Sequence, residues 1–209
     1  MKKAFTFAFL FICFAASTQV RSKNDMETTA FIGYSSFWYN DELARDSGSI
    51  ESVNFGLLGD YYFNEIWSFR TGFTYQKMGG SDLNYGTDFP ADGQEKLGYI
   101  NIPLNANWHV CRKRNLNLNF GFTPSFLVDT KGTYPATGLN SVDLRELEIV
   151  HRFQIGASAG VGYKIPVSEY ISLLADYQMF VGLTNTSKKN DTTLMNTGYN
   201  FNLGCVFGM

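Results

Sequence analysis

Hydrophobic and polar residues alternate with a period of two along most of this chain, most strictly in LGYINIPLNANWHVC at positions 97–111. There Ile100, Ile102, Leu104, Ala106, Trp108 and Val110 share one parity, while Tyr99, Asn101, Pro103, Asn105, Asn107 and His109 share the other. A period of two marks a β-strand with one apolar and one polar face. The same pattern predicts eight strands, at about 28–39, 50–63, 67–78, 97–111, 115–128, 152–165, 170–184 and 198–209. Alternation is weakest in the first strand, whose facing the pattern leaves open. Pro103 interrupts the fourth strand, and with a tight turn near Lys113 it falls opposite Thr123, beside Pro124. A shared gap or bulge at the two prolines is expected, because each removes a ladder donor.

The connections add a second regularity. Those after the second, fourth and sixth strands are short, including Asn64-Glu65-Ile66, the basic Arg112-Lys113-Arg114 and the turn at 166–169. Those after the first, third, fifth and seventh are long and polar, the longest spanning 129–151 with a short helix expected near 141–148. An up-and-down meander puts every short turn at one rim and every long loop at the other, as outer-membrane barrels do. The prediction is therefore an all-β protein, a closed eight-stranded antiparallel up-and-down transmembrane β-barrel.

Which face meets lipid follows from the polar parity. Gly56, Gly72, Gly121, Gly156, Gly160, Gly162, Gly182 and Gly204 lie on it with many Asn, Ser and Thr residues, and few charges. Glycine weakens a strand, so a water-facing surface has no reason to collect it. The interior of an eight-stranded ring is filled by side chains, so small polar residues fit there. A soluble lipocalin-like lipid carrier, the competing all-β reading, would turn the apolar face inward. On the membrane reading Asp60, Arg70, Asn105, His109, Asn117, Lys164 and Asp176 form a structural polar network in the lumen. Asp60 is expected to oppose Arg70 across the second turn, and Lys164 to meet Asp176 diagonally, because an unpaired buried charge is costly. Tyr61, Phe63, Trp67, Trp108, Tyr163 and Phe207 near the short turns, with Tyr75 and Tyr199 near the long loops, are the expected membrane-interface aromatics.

Composition narrows the class further. With 209 residues and a formal net charge of −2, the chain is sized for one such domain and offers nothing to nucleic acid. Lys2 and Lys3 precede an apolar run to Ala16, and Ala15 and Ser17 suit cleavage before Thr18. The expected division is a signal peptide at 1–17, a polar leader at 18–27 and the barrel at 28–209, with export to the outer membrane of a Gram-negative cell. Cys111 and Cys205 fall on the fourth and eighth strands, on opposite sides of the ring, which disfavours a disulfide.

No reaction chemistry stands out, and no catalytic residue, cofactor or metal ligand is assigned. His, Cys, Asp and Glu show no metal-ligand spacing. The glycines of 156–162 share one parity within a strand and precede no helix, so they do not form a phosphate loop. Asp82, Asp88, Asp92 and Glu95 read as a solvated acidic loop before a calcium site. A lipid-modifying hydrolase using His151 remains the enzyme alternative.

Gly98 to Leu104, GYINIPL, resembles the YIEIPL strand motif of the PorT-like outer-membrane β-barrel domain family. The similarity extends to NFGLLG at 54–59, RTGFTYQKMG at 70–79, FQIGASAGVGY at 153–163, ADY at 175–177 and GLT at 182–184. Asn101 stands where that family often carries an acidic residue. The resemblance implies a barrel and, through PorT itself, a part in protein secretion. Expected partners are outer-membrane lipid, the barrel-insertion machinery, and envelope or secretion proteins met through the long outer loops.

Overall fold

The computed structural model describes residues 21–41, 47–83, 93–110, 114–134, 139–188 and 193–208. Its strands are β1 (Met26–Asp41), β2 (Ile50–Tyr62), β3 (Trp67–Leu83), β4 (Gly93–Asn101), β5 (Leu104–Val110), β6 (Leu116–Tyr134), β7 (Leu139–Val142), β8 (Phe153–Pro166), β9 (Ile171–Gly182) and β10 (Leu194–Gly208). All pairings are antiparallel, and β1 joins both β2 and β10, which closes the sheet into a ring. β4 and β5 together make one stave between β3 and β6, and β7 is a short hairpin arm on the outer end of β6. The ring therefore has eight staves. The short-turn rim carries residues 63–66, the β5–β6 junction at 114–115, and 167–170, and the long-loop rim carries the other connections.

The predicted facing is observed, and it settles the first strand as well. Phe73 is 65% exposed, Ile32 61%, Leu57 59% and Phe122 59%, whereas Asp60, Asn107 and Asn117 are fully buried. The soluble-carrier alternative needs the opposite arrangement, so it fails. In β1 the inward residues include Glu27, Thr29, Gly33, Ser35, Phe37 and Tyr39. Outward apolar residues of β3 run from Trp67 to Tyr75 and stop at Lys77. That span is roughly 26 Å of strand, or about 20 Å along the membrane normal at a typical barrel tilt, close to the apolar band of known membrane barrels.

Several boundaries differ from those the pattern predicted. Glu27, expected in the leader, is an inward residue of β1, which begins at Met26. β3, β4 and β6 run past the expected ends at Met78, Leu97 and Val128 into segments read as loop. No helix forms near 141–148: β7 is followed by turns, with the Glu146 and Glu148 amides donating to the carbonyls of Asp143 and Arg145. The signal-peptide segment lies outside the described residues, as does Cys111; Cys205 is a free thiol.

The fourth stave breaks at Ile102 and Pro103, as the prolines required. The register is unshifted across the gap, with Asn101 opposite Ser125 and Leu104 opposite Phe122. Ile102 donates to the Pro124 carbonyl at 2.9 Å, and Pro124 has no amide to return the bond. The two prolines thus share one gap and no bulge. The bulge lies farther out, between Gly98 and Tyr99, where the β6 register skips Val128.

Lumen glycines serve close packing. A side chain at Gly162 would collide with Asn117 and Asp176, its two cross-strand partners. At Gly156 the space is taken by the Phe180 ring. Each small position receives a large neighbour, which is how so narrow an interior is filled.

Candidate functional site

The lumen is the densest collection of polar groups in the molecule, and it is layered. Nearest the short turns lies a charged layer. Arg70 donates from Nε to Asp60 Oδ1 at 3.1 Å and from Nη2 to Oδ2 at 3.0 Å, and Asn107 Nδ2 donates to the same carboxylate at 2.5 Å. Asp60 and Arg70 are direct cross-strand partners, as the short turn between β2 and β3 predicted. Lys164 behaves otherwise. Its ammonium pairs with Glu27, not with Asp176, and also donates to the Tyr62 hydroxyl at 3.1 Å. Glu27 further accepts from Tyr62 at 2.6 Å and from Arg21 Nε at 2.9 Å. Asp176 instead accepts from Gln178 at 2.9 Å and Asn202 at 3.3 Å.

Glu27 is thus a lumen residue that sequence reasoning missed, while Tyr62 was on the inward parity but not singled out for the network. The available signal was parity, since Glu27 continues the inward series of Thr29 and Gly33 by one step. His109 is buried, takes part in a 2.8 Å hydrogen bond between its Nε2 and Ser68 Oγ, and stacks on Tyr62 with ring centroids 4.8 Å apart. Buried Asn117 packs against Gly162.

Above this layer lie amides and hydroxyls. Asn105 donates to Asn119 at 3.2 Å and accepts from Ser158 at 3.0 Å, while Asn54 donates to Asn202 at 2.7 Å. Arg70 Nη1, Asn54 Oδ1, Gln76 Nε2, Asn101 Oδ1 and Asn200 Oδ1 are buried without a hydrogen-bond partner among the described residues. Their side chains line a cavity of about 70 Å³, large and polar enough for a few waters.

The outermost layer is apolar, which the polar reading of this parity did not anticipate. Phe37, Ile50, Met78, Leu97 and Tyr99 are almost fully buried inside the ring, with Leu127 and Phe180 close behind. A strap from Asp143 to His151 closes over them and contributes Leu144 and Val150 to the same cluster. The strap is tied on both sides. Thr130 Oγ1 donates to Asp143 at 2.5 Å and accepts from the Leu144 amide at 2.9 Å. Arg145 grips Asp143 at 2.8 Å and donates to the Val128 carbonyl at 2.7 Å, while the His151 and Lys188 amides stitch the strap to the β9–β10 connection. Hydrogen bonds from Arg145 and Thr130 hold the Asp143 carboxyl well below the usual carboxylate range.

The expected interface aromatics all point outward. Trp67 and Trp108 are direct ladder partners stacked at 6.1 Å, and Tyr61 meets Phe63 edge-on at 5.6 Å. Tyr163 and Phe207 stand exposed nearby. Toward the long loops, Tyr75 packs on Phe55 and Tyr199 on Tyr177. Trp38, not singled out from sequence, joins Tyr199 at 6.4 Å. His151 is exposed at the outer rim, and Glu95 is drawn inside to accept from Tyr39 at 3.0 Å and Tyr134 at 2.5 Å. Asp82 is exposed, and Asp88 and Asp92 lie outside the described residues. Among the described residues no cluster of His, Cys, Asp and Glu is arranged to hold a metal ion.

A closed ring with an apolar exterior and a polar interior is the architecture of a membrane barrel. The model of the outer membrane protein beta-barrel domain matches residues 16–188. The chain belongs to that family. Its place is accordingly the outer membrane. Among solved structures, the Neisserial surface protein A is similar at 15% identity and TM-score 0.53, with 87% of this chain and 96% of that one covered. OprG of Pseudomonas aeruginosa is similar at 10% identity and TM-score 0.55, covering 92% and 99%. The N-terminal barrel of Pseudomonas aeruginosa OprF aligns at 12% identity and TM-score 0.50, covering 90% and 100%. At these identities the likeness concerns the fold alone. No curated protein matches the chain.

Proposed function

We propose that this outer-membrane barrel is non-enzymatic and non-conducting, and that it works through the surface its outer rim presents. The observation that carries the reading is the occupation of the lumen. Ion-paired and amide layers stand beneath an apolar plug, and the strap covers the plug. A solute would have to displace fully buried Phe37, Met78, Leu97 and Tyr99, each in van der Waals contact on all sides. The eight interface aromatics named above serve as girdles that fix the barrel's depth, and the lumen network braces the ring. Partners of the outer rim are envelope proteins, and the resemblance to PorT-like barrels favours an accessory role in protein secretion.

The reading is tested by planar-bilayer recording on the purified, refolded chain. No stable conductance steps are expected from the wild type. Phe37→Ala combined with Phe180→Ala thins the plug and should produce intermittent openings. Persistent nanosiemens conductance from the wild type would overturn the closed-lumen reading. Cross-linking at Leu147, exposed on the strap, followed by identification of captured envelope proteins in intact cells, tests the contact role.

A further inference from the structure

The lipid-facing exterior ends abruptly on one side of the ring. Lys77 of β3, Lys96 of β4 and Lys131 of β6 all belong to the outward parity, beyond Tyr75, Ile100 and Val128, with Gly98 and Asp129 intervening on β4 and β6. Lys96 and Lys131 are direct cross-strand partners, and Lys77, opposite Gly98, sits one diagonal step from Lys96. Opposed positions bring Cβ atoms to about 5 Å and diagonal ones to about 7–8 Å, where like charges destabilise a sheet. None of the three makes an ion pair among the described residues. Of the carboxylates on the same outward face, Glu51 accepts from Tyr34, while Asp129, directly opposite Gly98, stands one diagonal step from Lys96 and offsets part of the patch's charge. Gly79 and Gly98 alternate with the lysines, and the Tyr75 hydroxyl and the Asp129 side chain cover Gly98, so the patch sets three ammonium groups against one carboxylate with a hydroxyl among them.

A repulsive cross-strand lysine pair at the end of an apolar band suits an environment that brings its own anions. We propose that Lys77, Lys96 and Lys131 bind the phosphate-bearing headgroups of lipid in the surrounding leaflet, with the acyl chains lying along Tyr75, Ile100 and Phe126. This proposal rests on the membrane reading of the exterior. Each ammonium acts as a point charge on a flexible stem, so the three can converge on phosphate oxygens at the band's edge.

The test compares wild type, Lys96→Gln/Lys131→Gln, and Lys188→Gln, a control for an exposed lysine on the outer rim. Each refolded protein is mixed with diphosphoryl lipid A or phosphatidylcholine in detergent, and retained lipid is read by native mass spectrometry. Wild type should retain diphosphoryl lipid A selectively, and the double variant should lose about thirty-fold in affinity, since each lysine near an anionic surface contributes about fivefold. Lys188→Gln should match wild type, and millimolar inorganic phosphate should not displace the lipid. Equal retention by all three proteins, absence of selectivity over phosphatidylcholine, or displacement by inorganic phosphate would each overturn the proposal. Resistance of vesicle-bound protein to alkaline carbonate is measured in parallel. Extraction there would sink the membrane reading itself, whereas firm insertion without lipid selectivity would sink only the lysine site.

Discussion

Replacing Lys164 with Met tests the lumen network where structure and sequence disagree. The ammonium of Lys164 is nearly sealed from solvent and pairs with Glu27, which is equally enclosed. Breaking a buried pair by deleting one partner costs about 3–5 kcal/mol, because the surviving charge is stranded. Glu27 keeps Arg21, whose side chain is 14% exposed, and the Tyr62 hydroxyl, so the loss should sit at the lower end, about 3 kcal/mol. Removing both charges in Glu27→Leu/Lys164→Met strands much less, and should cost about 1 kcal/mol or less relative to wild type. The two changes are therefore strongly coupled. The cycle of Lys164→Met with Asp176→Asn should instead be additive to about 0.5 kcal/mol, since Asp176 bonds Gln178 and Asn202. Urea unfolding of the refolded chain in micelles, under conditions where refolding is reversible, supplies the free energies. A Lys164→Met cost below about 1 kcal/mol, or stronger coupling to Asp176 than to Glu27, would refute this arrangement.

Leu104→Arg places a charge on the lipid face and should cost about 2–4 kcal/mol at midplane depth, read from unfolding out of vesicles. Gly162→Val pushes a side chain into the space of Asn117 and Asp176; overpacking of about 1–3 kcal/mol should show as loss of the heat-modifiable folded band on gels. The tie between Asp143 and Thr130 and Arg145 has a defined acid limit. A carboxyl held low contributes its full stabilisation above the ordinary carboxylate pKa of about 4, and loses it only as pH falls through the lowered folded value. Protection of the Leu144 amide, corrected for intrinsic exchange, should therefore stay constant from pH 8 to 5 and weaken only in stronger acid; Asp143→Asn should weaken it at every pH. Protection that already falls near pH 6 would contradict the tie.

Strict alternation made the staves and their facing legible in the sequence, and contrasting connection lengths made the meander legible. The Asp60–Arg70 pair was readable because a four-residue turn, 63–66, fixes the register between β2 and β3. The partner of Lys164 was not readable. Glu27 lies on β1, three staves away around the ring, and which strands face across the lumen depends on a closure that no local pattern encodes. The apolar plug was hidden for another reason. Phe37, Ile50, Met78, Leu97, Leu127 and Phe180 sit on the same inward parity as the asparagines. Beyond the membrane band the ring continues as a soluble-type core, so polarity ceases to report facing while parity still does. Polar outward residues such as Lys96 and Lys131 made those extensions look like loop.

The central claim is that lipid touches one parity and the enclosed lumen the other. The most direct measurement is a nitroxide scan of β6 from Leu118 to Phe122, one labelled cysteine at a time, with Cys111 and Cys205 replaced by Ser, in vesicles. Labels at 118, 120 and 122 should be highly accessible to oxygen and shielded from a polar nickel relaxant, with 119 and 121 shielded from oxygen. Accessibility that fails to alternate, or that alternates with the opposite phase, would contradict the account.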